Sequence, residues 1–468
     1  MRMVTGTWLK TIIKLLIIKK NKKIMKKTVL FIFGLIFAGS VAAQDTISLS
    51  LPQAITIALS ENPTIKIADK EIKRVEYNKK EKYGALLPNV SLGLSYARSL
   101  KKQKMFFSIP GMPSNPDGIE VGQDNTFNGS TNGLMATLPL FAPALWQSIN
   151  MSELDMELAL ESARSSKIAL VNQVSKAYYA ILMAQDSYNV LKRTYENSTE
   201  NNRIVQNKFK QGVVSEFESI RAEVQLRNVG ANLSAAENGV ELTRLQLKML
   251  MGVGMDQEIK IEGSLADYEN KMYSDVLKID TTTLAENSDL KQFDIKSRQL
   301  NQSVKLQRAS WMPTLSASFN YNYMSYANDD ILFTGDQRWF PTSNVGIMLS
   351  IPLFQGGQRY FKDKQLQIQV DELKDQKLNL KRSLELQAMS YINNIEKAMK
   401  LIESNKVALS QAEKAMTISQ KRYEVGAGTY LDVANAELAY QQSGLAYNQA
   451  IYDYLSAKTD LEKLLGNK

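Results

Sequence analysis

The 468-residue sequence contains no cysteine and no histidine. Those two absences exclude disulfides, thiol nucleophiles, an acylated N-terminal cysteine, imidazole bases and nearly all transition-metal sites. Long apolar runs are missing beyond residue 43, so no later stretch supplies the roughly 20 residues that a membrane-crossing helix needs. Passage of the remaining chain through a bilayer would have to be by β-barrel, whose strands need only about 9 to 11 residues. Excess charge is missing too. The formal charge of +9 is accounted for entirely by nine Lys and Arg residues within 1–43, a segment with no acid, so the rest of the chain is neutral and no nucleic-acid partner is expected.

Residues 1–43 read as an N-terminal extension and export signal. Lys26-Lys27 is the basic region, Val29 to Phe37 the apolar core, and Val41-Ala42-Ala43 the small-residue cleavage site, which places the mature start near Gln44.

The mature chain is one unit written twice. Residues 59–96 recur without a gap as 284–321: Leu59-Ser60-Glu61-Asn62 answers Leu284-Ala285-Glu286-Asn287, Pro88 answers Pro313 and Tyr96 answers Tyr321. Leu138-Pro139-Leu140-Phe141 answers Ile351-Pro352-Leu353-Phe354, and Phe209-Lys210-Gln211-Gly212 answers Tyr423-Glu424-Val425-Gly426. The domain reading is a first repeat over 44–252, a connecting segment over 253–278 and a second repeat over 279–468.

Each repeat carries a hairpin, at about 89–141 and about 314–354. Leu315 to Tyr323 alternates strictly between apolar and polar residues, Val90 to Tyr96 does the same, and Leu134 to Leu140 and Val345 to Leu353 supply the return strands. The tips, roughly 99–129 and 324–341, are rich in Gly, Pro, Asn and Asp, as solvated loops are. Tyr321, Tyr323 and Tyr326 suit an interfacial girdle. Four strands cannot close a barrel, since about eight is the minimum. A barrel therefore requires several copies, and three would supply 12 strands.

Between the strands run long segments nearly free of Pro and Gly, 150–209 and about 358–424, which as helices span roughly 90 to 100 Å. Leu154, Leu158, Val171, Val174, Tyr178 and Ile181, and Leu384, Met389, Ile392, Ile395, Met399 and Ile402, recur at the spacing of coiled-coil seams. Shorter helices over 63–87 and 216–250 together match one long helix, as if two stack beside it. At the far end of each long helix, Gly212 and Gly426 suit a left-handed stop, Ser215 and Thr429 suit caps for the next helix, and Glu218 and Asp432 stand where a capping box needs them.

Two further classes stay open on the residues alone. One is an exported structural coiled-coil protein whose sheet is an ordinary soluble one. The other is an exported enzyme, for which the only motif of note is Ser-x-x-Lys at Ser99 to Lys102. No Gly-rich phosphate loop follows a strand, and no cofactor is read.

Arg422-Tyr423-Glu424-Val425-Gly426-Ala427-Gly428-Thr429-Tyr430-Leu431-Asp432-Val433, followed by Ala436-Glu437, resembles the tip motif of TolC-like outer membrane efflux proteins. The opening Leu51-Pro52-Gln53-Ala54 through Asn62-Pro63, the Leu87-Pro88 and Met312-Pro313 junctions and the duplication extend the likeness over the whole mature chain. The resemblance implies a mainly α fold with a membrane β-barrel contribution: internally duplicated helical hairpins plus four antiparallel strands, trimerising into a 12-stranded barrel and an α-helical tunnel. It also implies a homotrimer in the outer membrane of a Gram-negative bacterium. Such a trimer meets outer membrane lipid and serves a periplasmic adaptor protein and an inner-membrane pump as a passive exit duct, with no enzymatic activity. Carried over residue by residue, it puts a channel gate at Asp432, Tyr423 and Asn435. Adaptor contacts fall at Gly212, Val213, Ser215, Gly426, Ala427, Gly428 and Thr429. Where relatives often have a second aspartate this chain has Asn435, and where they have a basic partner for the tyrosine it has Gly428. The implied gate is less acidic, with its latch missing or differently built.

Overall fold

The computed structural model of the protein describes residues 47–98, 100, 104–105, 119–120, 128–269, 284–327 and 339–466. The export signal, Ser99, most of both hairpin tips and the side chain of Tyr326 lie outside the described residues.

The described residues fall into two compact units. The smaller contains β1 (Ile47–Leu49) and β6 (Ile259–Ile261), paired in parallel with Leu49, Ile259 and Ile261 buried. Neither strand was legible in the sequence, because each is only three residues long and their partners are more than two hundred positions apart.

The larger unit repeats one order of elements. The first round is α1 (Leu51–Glu61), α2 (Pro63–Gly84), β2 (Asn89–Arg98), β5 (Asn128–Phe141), α3 (Pro143–Lys210) and α4 (Glu216–Met251). Between β2 and β5, two-residue strands β3 (Lys104–Met105) and β4 (Ile119–Glu120) pair with each other. The second round is α5 (Ser288–Ala309), β7 (Thr314–Ala327), β8 (Phe340–Ser350), α6 (Gln358–Glu424) and α7 (Tyr430–Leu465). Helices α3 and α6 have 68 and 67 residues, roughly 100 Å each. Two shorter helices do pack along each long one: α2 and α4 along α3, α5 and α7 along α6. The seam of α6 differs from the expectation at one place. Met389 is exposed and the buried line passes through Leu384, Ala388, Ile395, Ala398 and Ile402, because the smaller alanines allow closer helix packing on that side.

Asn62 and Asn287, equivalent in the two rounds, do the same work. Asn62 caps α2 by accepting from the Thr64 amide at 2.7 Å and donates to the Leu250 carbonyl at 2.7 Å. Asn287 caps α5 by accepting from the Asp289 and Leu290 amides at 3.0 Å and donates to the Leu464 carbonyl at 2.7 Å. One amide thus satisfies both a helix start and the last turn of the helix ending beside it.

The four long strands form an antiparallel sheet in the order β2-β5-β7-β8, with β2 and β8 as its edges. One face carries rows such as Val90, Ala136, Phe319, Val345 and Leu92, Leu134, Tyr321, Ser343. The other carries Ser91, Met135, Asn320, Asn344 and Gly93, Gly133, Asn322, Thr342. The apolar face is open: Val90, Leu92, Leu94, Val345, Ile347 and Leu349 stand exposed, as do Met135, Asn344 and Met348 on the other face, and among the described residues of the sheet only Ser130 and Ser325 are buried. A soluble sheet buries its apolar face, so this arrangement goes against the soluble reading. Tyr321 and Tyr323 meet edge to face at 5.5 Å, their hydroxyls 3.0 Å apart. The last return strand ends at Ser350, short of the expected Leu353. Among the described residues no helix is long and apolar enough to cross a membrane.

Candidate channel gate and tip

The long helices end in matching turns. Gly212 (φ +74°) lets the Val213 amide reach back to the Lys208 carbonyl at 2.9 Å, and Gly426 (φ +77°) lets the Ala427 amide reach the Arg422 carbonyl at 2.8 Å. The left-handed conformation, which disfavours side-chain-bearing residues, is what these positions require. Nothing lies within 4 Å of where a Cβ would stand at either one. Val213 and Ala427 are exposed beside them.

The helices beyond these turns are capped as the sequence suggests, with one difference. Thr429 Oγ1 accepts from the Asp432 amide at 3.2 Å, and the Asp432 carboxylate accepts in return from Thr429 N–H at 3.0 Å and its hydroxyl at 2.8 Å. In the first repeat Ser215 Oγ accepts from the Glu218 amide at 3.3 Å, but the return half of the box is not made.

The structure separates the three expected gate residues. Asp432 and Asn435 lie three apart on the exposed face of α7. Bonds from the Thr429 backbone and side chain, aided by the charge of Arg422, hold the Asp432 carboxyl below its ordinary range. Tyr423 instead is buried, packed with Val205 of α3, Ala222 of α4, and Tyr430 and Val433 of α7. Its ring meets that of Tyr430 at 6.0 Å. Burial pushes both phenols up, and for Tyr430 the nearby Glu437 adds to the effect. The Tyr423 hydroxyl has no hydrogen-bond partner among the described residues.

Tyr423 nonetheless has a cation. The Lys208 ammonium sits 4.2 Å over its ring and donates to its backbone carbonyl. Lys208 belongs to the other repeat, where no motif around Gly428 could point to it. Gly428 itself leaves room for Arg422, whose guanidinium donates to the Ala427 carbonyl at 3.0 Å and closes the turn.

A residue missed in the sequence lies just beyond. Glu437 is 1% exposed, between α3 and α7, accepting from the Ser198 hydroxyl at 2.9 Å and the Asn201 amide at 2.5 Å. Burial outweighs these two bonds and pushes its carboxyl up to about 7. The signal was present in the register: Tyr430, Val433, Glu437, Tyr440 and Gly444 fall at alternating three- and four-residue steps, as do Leu191, Thr194, Ser198, Asn201 and Val205.

The model of the family described as outer membrane efflux protein matches residues 54–253 and 281–467. The chain belongs to the outer membrane efflux protein family. The outer membrane protein TolC of Vibrio cholerae is 22% identical over 342 residues, covering 71% of this chain and 76% of that one. The alkaline protease secretion protein AprF of Pseudomonas aeruginosa is 21% identical, covering 92% and 87%. The fold is that of the Campylobacter jejuni CmeC outer membrane channel, with a TM-score of 0.71 at 19% identity over 92% of this chain and 90% of that one. This efflux protein is an outer-membrane channel component of an efflux or secretion system, mainly helical with four antiparallel strands. Its tip, at Gly212 and Gly426, is the end farthest along the helices from its sheet.

Proposed function

We propose that three copies of this chain, each built of the repeats 44–252 and 279–468 joined by 253–278, close one 12-stranded barrel through the outer membrane and one helical tunnel through the periplasm. The assembly is a passive exit duct, without catalysis, for cargo delivered by an inner-membrane pump and its periplasmic adaptor. The observation that carries this reading is the sheet: its apolar face is open and its edge strands, β2 and β8, are long and have no further strand beside them among the described residues. The strands alternate in direction, so β8 of one copy beside β2 of the next continues the antiparallel order. That head-to-tail contact closes a ring.

At the other end, the exposed face of α7 supports a gate in which three copies of Asp432 and Asn435 surround the axis. There, two influences oppose each other on one carboxylate. Mutual repulsion raises its pKa, while the capping box with Thr429 lowers it. The Tyr423 hydroxyl, buried and without a partner among the described residues, is closed to a neighbouring copy unless the helices around it part. Gly212, Val213, Ser215, Gly426, Ala427, Gly428 and Thr429 offer bare turns on which an adaptor's helices fit closely. The test is single-channel recording of the purified protein in planar bilayers. Asp432→Asn is expected to lower cation preference or to raise residual closed-state current, and an unchanged current and selectivity would sink the gate assignment.

A further inference from the structure

The two repeats share a four-residue motif that they use differently. Leu138-Pro139-Leu140-Phe141 stays in the sheet: β5 pairs with β7 through Phe141 opposite Leu315, and α3 starts two residues later at Pro143. Leu140 and Phe141 are 46% and 39% exposed, and the Phe141 ring meets Trp146 at 5.2 Å. Ile351-Pro352-Leu353-Phe354 has left the sheet. Pairing of β8 with β7 stops at Ser350 opposite Thr314, and α6 does not begin until Gln358, after Gly356 and Gly357 turn the chain at φ +58° and +77°. Leu353 and Phe354 are 91% and 85% exposed.

We infer that residues 351–354 are a membrane anchor that enters the periplasm-facing leaflet of the outer membrane at the foot of the barrel. Three observations choose lipid over other occupants. The exposed apolar positions Val345, Ile347 and Leu349 on the outward face of β8 continue at the same spacing into Ile351 and Leu353. Strand β8 already has 11 residues, enough to cross the hydrocarbon core, so residues 351–354 stand at its boundary. The next turn supplies the amphipathic side chains of that boundary: exposed Tyr360 and Phe361 meet edge to face at 5.4 Å, with Arg359, Lys362 and Lys364 beside them. The one acid there, Asp363, is buried and bound to Arg308 at 2.9 Å, which leaves exposed Lys362, and Lys364 beyond its contacts with the Tyr360 ring and Gln367, to reach lipid phosphates.

This inference rests on the barrel reading, and the absence of native cysteine allows both to be tested separately. Leu353→Cys and Phe354→Cys, with Ile347→Cys on the barrel face as reference, are each labelled with a nitroxide in the full-length protein. The labelled proteins are reconstituted into vesicles of phosphatidylethanolamine and phosphatidylglycerol. Spin relaxation by oxygen, which partitions into lipid, is compared with relaxation by a water-soluble nickel chelate. Labels at 353 and 354 are expected to respond severalfold more to oxygen than to the chelate, at a shallower depth than 347. A label at 353 or 354 open to the chelate, or immobilised and shielded from both reagents by a neighbouring copy, overturns the anchor while 347 still reports lipid. If 347 also fails to report lipid, the barrel itself is wrong and the anchor falls with it.

Discussion

At the scale of single residues, the decisive group is Glu437. Its carboxyl lies between the two helical hairpins with Ser198 and Asn201 as its polar contacts among the described residues, and the titratable group nearest in effect is the Tyr430 phenol on its own helix. Folding raises its pKa from 4.5 to about 7. Below about pH 4.5 the group is protonated whether or not the chain is folded, and its contribution is at its most favourable. Between pH 4.5 and 7 only the unfolded carboxyl ionises, so stability declines as pH rises, by a total on the order of 3 kcal/mol. Above pH 7 the loss is complete and level. Glu437→Gln keeps an acceptor for Asn201 and removes the proton, so the midpoint of thermal unfolding, followed at pH 5 and pH 8, is expected to vary less with pH than in the parent and to be higher at pH 8. An undiminished pH dependence in the variant would assign the titration to another group.

At the scale of elements, the pair of capping asparagines shows how the duplication is held. Asn287→Ala removes a cap worth about 1 kcal/mol and a buried hydrogen bond worth about the same. A loss of roughly 2 kcal/mol is expected in the thermal or denaturant midpoint of the solubilised protein, while Asn287→Ser, which can still cap, should lose about half as much. Equal losses would mean that the cap carries nothing, and no loss in Asn287→Ser would mean that the bond to the Leu464 carbonyl carries nothing. The same scale shows what was legible in the sequence. Gly212, Gly426, Ser215 and Thr429 could be read because a left-handed stop and a cap are local events, fixed within six residues. The alternation of the strands was readable for the same reason. The contact of Lys208 with Tyr423 was not, since it joins two repeats across 215 positions. The departure of Ile351-Pro352-Leu353-Phe354 from the sheet escaped reading as well, because its matching motif in the first repeat remains in a strand with neighbours on both sides, whereas among the described residues β8 has only β7 beside it.

At the scale of the whole molecule, an apolar sheet face and two open strand edges belong to one chain whose long helices run for roughly 100 Å. Neither the face nor the edges are tolerable in a lone chain in water. Both are satisfied at once when copies close a ring in lipid. The internal duplication suits that ring, since each copy brings two near-equivalent hairpins. The most direct measurement is therefore the detergent-corrected mass of the protein extracted from outer membranes. Three chains per particle are expected. A single chain per particle, or protein recovered only from the soluble fraction, would leave β2 and β8 unpaired and contradict the shared barrel.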